Sequence, residues 1–162
     1  MGREGMDLGM NSKWTPKDPA YEARVRESFS RQTHMTTLGA SIVFIAPGQV
    51  HLALPFAPEL CQQNGFLHAG AIASVADSAN GYAAYTLTAP KTDVLAVEFK
   101  INLLAPAQGN GFLACGQVLR PGRTLSVCQA EVFATGVPEQ VLIATMLSTI
   151  IVRPKKRGGA DA

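Results

Sequence analysis

The stretch Gln62-Gln63-Asn64-Gly65-Phe66-Leu67-His68-Ala69-Gly70-Ala71-Ile72-Ala73-Ser74-Val75-Ala76-Asp77-Ser78-Ala79-Asn80-Gly81 decides the fold. It opens on a polar turn, passes a histidine and enters a run of small residues with one acid, Asp77. At about 100° per residue, Ile72, Val75, Ala76, Ala79 and Ala83 form one stripe of a helix expected from His68 to about Leu87. Asp77 falls on roughly the opposite side, with Gly70, Ser74, Gly81 and Ala84. Small residues let another backbone come close, so this helix is expected to be buried on most sides. A carboxylate in such surroundings is costly unless something pairs it or uses it. A glycine turn that brings a histidine and free N–H groups to a helix start also suits a negative or polarised oxygen.

On the N-terminal side, Asp18-Pro19 reads as a helix start, and Val25 and Phe29 support a helix over about 19–31. Thr37 to Ile45 is rich in β-formers, Pro47-Gly48 marks a turn, and Val50 to Leu54 alternates as a second strand. Beyond Pro90 the chain reads as four strands: Val94–Leu104, Phe112–Leu119, Thr124–Ala134 and Gln140–Val152. Short turns between consecutive strands imply an antiparallel sheet, and one sheet must cover one long helix. The class is therefore α+β, with about six strands, a long central helix and an N-terminal helix.

The 162 residues fit one domain, placed at 18–153, with a loose leader at 1–17 and a basic tail at 154–162. Apolar residues make up 47 %, enough for a core, while charged residues at 16 % are few for the surface of a small monomer. That balance suggests burial against another copy of the chain. A net charge of +2 is too weak to argue for nucleic acid. No run is long enough to span a bilayer, and the first ten residues lack a signal-peptide core. Cys61, Cys115 and Cys128 are odd in number and match no zinc spacing, so they read as buried thiols in a reducing compartment, and the protein is expected in the cytoplasm. His34 and His51 have no partner in the sequence and are read as surface or strand residues. Glu98 and Lys100 are read as cross-strand neighbours, and Trp14 is too isolated to interpret.

Helix geometry gives one inference by itself. His68 and Asp77 are nine positions apart, a rise of about 13.5 Å and about half a turn. They cannot act on one atom from within one subunit, nor share a metal there. If both are catalytic, the helix start of one subunit must meet Asp77 of another, giving a homodimer with two composite sites. Dimer and tetramer both stay open.

The element order and the Gln62–Gly81 stretch resemble the hotdog fold, and within it the phenylacetate-degradation-type (PaaI-like) acyl-CoA thioesterases. The likeness runs through Gln62, Gly65, His68-Ala69-Gly70 and Asp77. It continues in Val97-Glu98-Phe99-Lys100-Ile101-Asn102-Leu103-Leu104-Ala105-Pro106-Ala107 and in the basic turn Arg120-Pro121-Gly122-Arg123-Thr124, covering about residues 36–152. The resemblance implies Asp77 as the catalytic carboxylate, general base or nucleophile, and Ala69 as the residue whose backbone N–H polarises the thioester carbonyl. It implies His68 and Gly70 at the helix start, and Gln62 as the amide before it. Gln63, Asn64, Gly65, Ser78 and Gly81 are expected around the substrate, with Arg120 and Arg123 as candidates for coenzyme A phosphates. Coenzyme A is then part of the substrate, and no cofactor or metal is implied. Three positions depart from the pattern. Ala69 stands where Gly is commonest, and hydroxyls that some relatives carry are missing at Gly81 and Ala96, leaving Ser78, Asn80 or a backbone group to hold a water.

Alternatives remain for each residue. His68 can be a plain helix cap, and Asp77 a structural acid at an interface. At the level of activity, hydratases and dehydratases also use hotdog folds with a histidine and an acid, but they need the two close together. A non-catalytic acyl-CoA binder is the third class.

Overall fold

The computed structural model describes residues 13–155. Its elements are α1 (Tyr21–Ser30), α2 (Thr33–Leu38), β1 (Ser41–Ala46), β2 (Gln49–Pro55), a 3₁₀ turn (Pro58–Leu60), α3 (Ala69–Tyr85), β3 (Thr92–Leu103), β4 (Gly111–Arg120), β5 (Leu125–Thr135) and β6 (Val141–Pro154). The six strands form one sheet in the order β1-β2-β4-β5-β6-β3, antiparallel at every pairing. The sheet wraps α3, which touches β2 through β6. This is the α+β architecture, a central helix inside a six-stranded sheet, that the sequence implies.

Alternation along the strands sets which side faces the helix. On β5, Cys128, Ala130, Val132 and Ala134 are buried while Gln129, Glu131 and Phe133 are half-exposed. Ile72, Val75, Ala76, Ala79 and Ala83 are all 0–1 % exposed, as the stripe predicts. They pack in a core with Val50, Leu52, Leu54, Phe112, Ala114 and Met146. The helix can lie this close because β4 offers a glycine. A Cβ on Gly116 would stand 2.4 Å from the carbonyl carbon of Ala79.

Several expectations are corrected. The β-rich stretch beginning at Thr37 starts inside a helix. Thr33–Leu38 forms α2, closed by Gly39 at φ 70° with its N–H on Met35, and β1 begins only at Ser41. Asp18 does not cap α1 from the N-cap position, which Ala20 holds. Instead it accepts the Ala20 N–H at 2.9 Å and pairs with Arg24 at 3.2 Å. Ala84, expected beside Asp77, is buried on the core side. His51 is a strand residue, one of its two expected places: it is buried on β2, tilted against Phe44 at 4.7 Å between ring centres, and burial lowers its pKa. Of the three free cysteines, only Cys128 is fully buried.

The helical layer is tied down by one cation. The Arg24 guanidinium donates to the carbonyls of Tyr85, Thr88 and Ala89, at 3.1, 2.9 and 2.8 Å, just where α3 ends. It also lies 4.4 Å over the Tyr85 ring. Trp14, within the expected leader, packs against Gly48 and donates to the Val118 carbonyl at 3.4 Å. At the other end, Pro154 still pairs with Thr92, and the Lys155 N–H bonds the Lys91 carbonyl. The remainder of the expected leader and tail lies outside the described residues. Among the described residues no helix is long and apolar enough to cross a membrane.

Candidate active site

The turn before α3 is built from its own backbone. The Gly65 N–H bonds the Gln62 carbonyl at 3.0 Å, and Gly65 takes φ 82°, a conformation that suits glycine. Gln62 Oε1 accepts the Asn64 N–H at 2.6 Å, so its side chain braces the turn. Gln63, Asn64 and Gly65 are exposed. The chain then pairs Cys61 with Leu67, and the His68 N–H bonds the Leu60 carbonyl at 2.9 Å. These bonds fix the entry of α3.

His68 is the N-cap residue. Its Nδ1 accepts the Gly70 N–H at 2.8 Å, which places the ring proton of the neutral form on Nε2. The structure therefore realises the capping role considered for this histidine. The first helical residue, Ala69, has no acceptor for its N–H among the described residues. It opens on a cavity of about 420 Å³ lined by Gln62, Phe66, Leu67, Ile72, Leu103, Leu104 and Pro106 among others. Gln62 and Ala69 thus meet at one mostly apolar cavity. A helix N-terminus with a free N–H beside it favours a polarised carbonyl oxygen.

Asp77 belongs to a different cavity. This one, of about 370 Å³, is bounded by Asp77, Ser78, Gly81, Tyr82 and Tyr85 of α3, by Ser28, Arg31 and Gln32 of the α1–α2 bend, and by Asp93 to Ala96 of β3. Asp77 is half-buried, and its Oδ1 has no hydrogen-bond partner. Burial raises its pKa, the expected response of a carboxylate with no cation beside it. Such a group is a better proton acceptor than an ordinary aspartate. No residue is common to the two cavities.

The other candidates separate from one another. Ser78 and Gly81 share the Asp77 cavity, as does Ala96. Asn80 does not: it is fully buried on the sheet side and donates to Ser148 Oγ at 2.9 Å. His68 and Gly70 face a shallow cleft with His34, whose Nε2 is 3.1 Å from Ser74 Oγ, so His34 has a partner after all. Glu98 accepts from Thr149 across the sheet at 2.6 Å, while Lys100 bonds Asn102 on its own strand. Arg123 lines a third cavity with Trp14 and Lys17, near the end of α3, and Arg120 is exposed at the end of β4. Among the described residues no three metal-ligating side chains come together. Gln32, Ser28 and Arg31 were not singled out by sequence. They lie more than forty positions before Asp77, and only the bend between two short helices brings them to it.

Residues 64–139 match the thioesterase superfamily. A thioesterase family protein from Silicibacter pomeroyi is 47 % identical, superposes with a TM-score of 0.81, and the match covers 83 % of this chain and 98 % of that one. A protein of Saccharolobus solfataricus that bears an esterase name is 33 % identical over 94 residues. That match covers 58 % of this chain and 66 % of the relative, just under two thirds of its length. The E. coli PaaI protein of the phenylacetic acid degradation operon shares the fold, with a TM-score of 0.74 at 18 % identity over 81 % of this chain and 91 % of PaaI. On its fold, the matched residues and the Silicibacter relative together, this chain belongs to the thioesterase superfamily of hotdog proteins.

Proposed function

We propose that this protein hydrolyses acyl-CoA thioesters to the free acid and coenzyme A, at two equivalent sites of a homodimer. Each site takes Asp77 from one protomer and the α3 N-terminus from the other. The carrying observation is the separation just described. The free N–H of Ala69 and the unpaired carboxylate of Asp77 open on cavities with no shared lining, eight residues or about 12 Å of helix apart. One chain cannot bring both to a single carbonyl, and a partner related by a two-fold axis can.

The sheet edge supports the same arrangement. β3 pairs only with β6, and it carries Leu95, Val97, Phe99 and Leu103 at 45–56 % exposure. A long apolar edge strand of this kind invites pairing with a second chain. β3 also borders both cavities, through Leu95 and Ala96 at one and Leu103 at the other. Covering that edge would bring the partner's cavities alongside.

The chemistry follows from the two halves. The Ala69 N–H, at the positive end of the α3 dipole, takes up the charge that grows on the thioester oxygen. Asp77 accepts a proton from water as the water oxygen bonds the carbonyl carbon. When the tetrahedral species collapses, the C–S bond breaks and the thiolate takes that proton back, leaving acid and thiol. His68 holds the loop through its cap. A hydratase needs a histidine and an acid close together on adjacent carbons. Here the histidine ring is engaged with Gly70 and faces another cleft. A coenzyme A thioester as substrate also fits the cytoplasm expected from three free thiols.

The test is thiol release from a panel of aryl- and alkyl-CoA thioesters. Asp77→Asn should lose at least about a hundredfold in rate with its fold intact. Ala69→Pro removes the N–H at a position where proline fits a helix, after a residue already at φ −63°, ψ 139°. Each variant alone should be inactive, and mixed dimers should recover part of the rate. Full activity in Asp77→Asn, or no recovery in verified mixed dimers, overturns the shared site.

A further inference from the structure

We infer that Gln32, in the bend between α1 and α2, is a positioning residue for the water that Asp77 activates, and that it acts through Ser78. The inference rests on the thioesterase reading above. A water attacking at Asp77 gives one proton to the carboxylate and needs a second contact to fix its direction. Gly81 and Ala96 line the Asp77 cavity without a polar side chain. Asn80 is committed to the sheet side. The hydroxyl next along the helix from the acid is Ser78.

The direction of the Ser78 proton is the telling feature. A helical serine commonly donates to the carbonyl four residues back, and Ser74 does so, to Gly70 at 2.8 Å. Ser78 instead donates to Gln32 Oε1, at 3.4 Å. This bond is long, as catalytic-site bonds often are before substrate binds. Tyr82, 6 % exposed, lines the same cavity, and its hydroxyl meets Ser28 Oγ at 3.4 Å. The result is a serine whose proton is committed to Gln32 on the cavity wall. Its lone pairs are left to accept from a water whose other proton faces Asp77.

The helix cap gives Gln32 no competing role. It is the N-cap residue of α2, but its side chain makes no capping bond. A near-isosteric apolar residue therefore removes the Ser78 acceptor without uncapping a helix.

The experiment is a double-mutant cycle on thiol release, with KM, kcat and melting temperature for each variant. Gln32→Met should lower kcat about tenfold, the size of one net hydrogen bond, with KM within about twofold and melting within a few degrees. Ser78→Ala should do the same, and the pair together should lose no more than the larger single loss. In Gln32→Glu, which keeps an acceptor, Ser78→Ala should still cost about tenfold, and this arm decides the matter if the methionine disturbs α2. Multiplicative losses of about a hundredfold, a rise in KM at unchanged kcat, or no effect of Ser78→Ala beside Gln32→Glu overturns the inference alone. A wild type that releases no thiol from any thioester overturns the thioesterase reading, and the inference with it.

Discussion

Gly116 sets the distance between α3 and the sheet, and adding one methyl group tests that. An alanine Cβ would lie 2.4 Å from the Ala79 carbonyl carbon, 2.5 Å from its oxygen and 2.8 Å from the Asn80 nitrogen. Ordinary contact starts near 3.4 Å, so the helix must retreat by about 1 Å, the difference between 3.4 and 2.4. The obstacle is helix backbone, which cannot turn aside as a side chain can. Overpacking of this kind costs about 1–3 kcal/mol, and a backbone obstacle points to the upper half of that range. For a domain of this size each kcal/mol lowers the melting temperature by about 2–4 °C, so Gly116→Ala should melt about 4–12 °C lower. The same helix carries Asp77 and the Ala69 N–H, and a shift of about 1 Å in such groups can cost about a hundredfold in rate. Gly81→Ala is the control. Nothing lies within 4 Å of its Cβ, so it should gain about 0.5–1 kcal/mol from helix propensity. Differential scanning calorimetry reads both. A Gly116→Ala protein as stable as wild type would refute the idea that this contact fixes the helix.

Two more outcomes are expected. His68→Ala should cost about 1 kcal/mol by releasing the Gly70 N–H, and His68→Asn should restore most of it, since asparagine is a good N-cap; equal urea midpoints for wild type and His68→Ala would count against the cap. Asp77→Asn should melt higher than wild type at pH 8, with the gap closing near pH 3. The sign follows from burial, which raises the Asp77 pKa. As pH climbs from the unfolded toward the folded value, the folded chain holds a proton that the unfolded chain has lost, so stability falls and then stays lower. Asparagine carries no such charge. A gap independent of pH would show that the carboxylate bears no burial penalty.

The core of this fold could be read from residues in sequence because its signals are local. The small-residue stripe ending at Ala83 is buried as expected, and the four strands after Pro90 lie close to their expected bounds. Asp77 was legible for a similar reason: a single charge among Ala, Val and Ser is conspicuous. What failed was decided by contacts distant in sequence. Thr36 and Thr37 look like strand residues, yet Gly39 closes a short helix beneath them, and tertiary packing of Met35 and Leu38 outweighs β propensity. His51 gave no hint of its burial because Phe44 covers it from the neighbouring strand. Gln32 was silent for the same reason, since nothing near it in sequence points to an acid forty-five positions later.

Arg24 ties these parts together. The guanidinium that bonds the Tyr85 carbonyl at the end of α3, and the Thr88 and Ala89 carbonyls of the turn after it, belongs to the segment that walls the Asp77 cavity. It thus works like a hinge pin. The positive charge stands at the C-terminal end of the α3 dipole, and the same side chain joins α1, which walls the cavity, to the end of α3. A chain of this fold that lacked α1 would need another cation, or water, at the Thr88 carbonyl, and would open its carboxylate to solvent on the side that Ser28 now walls.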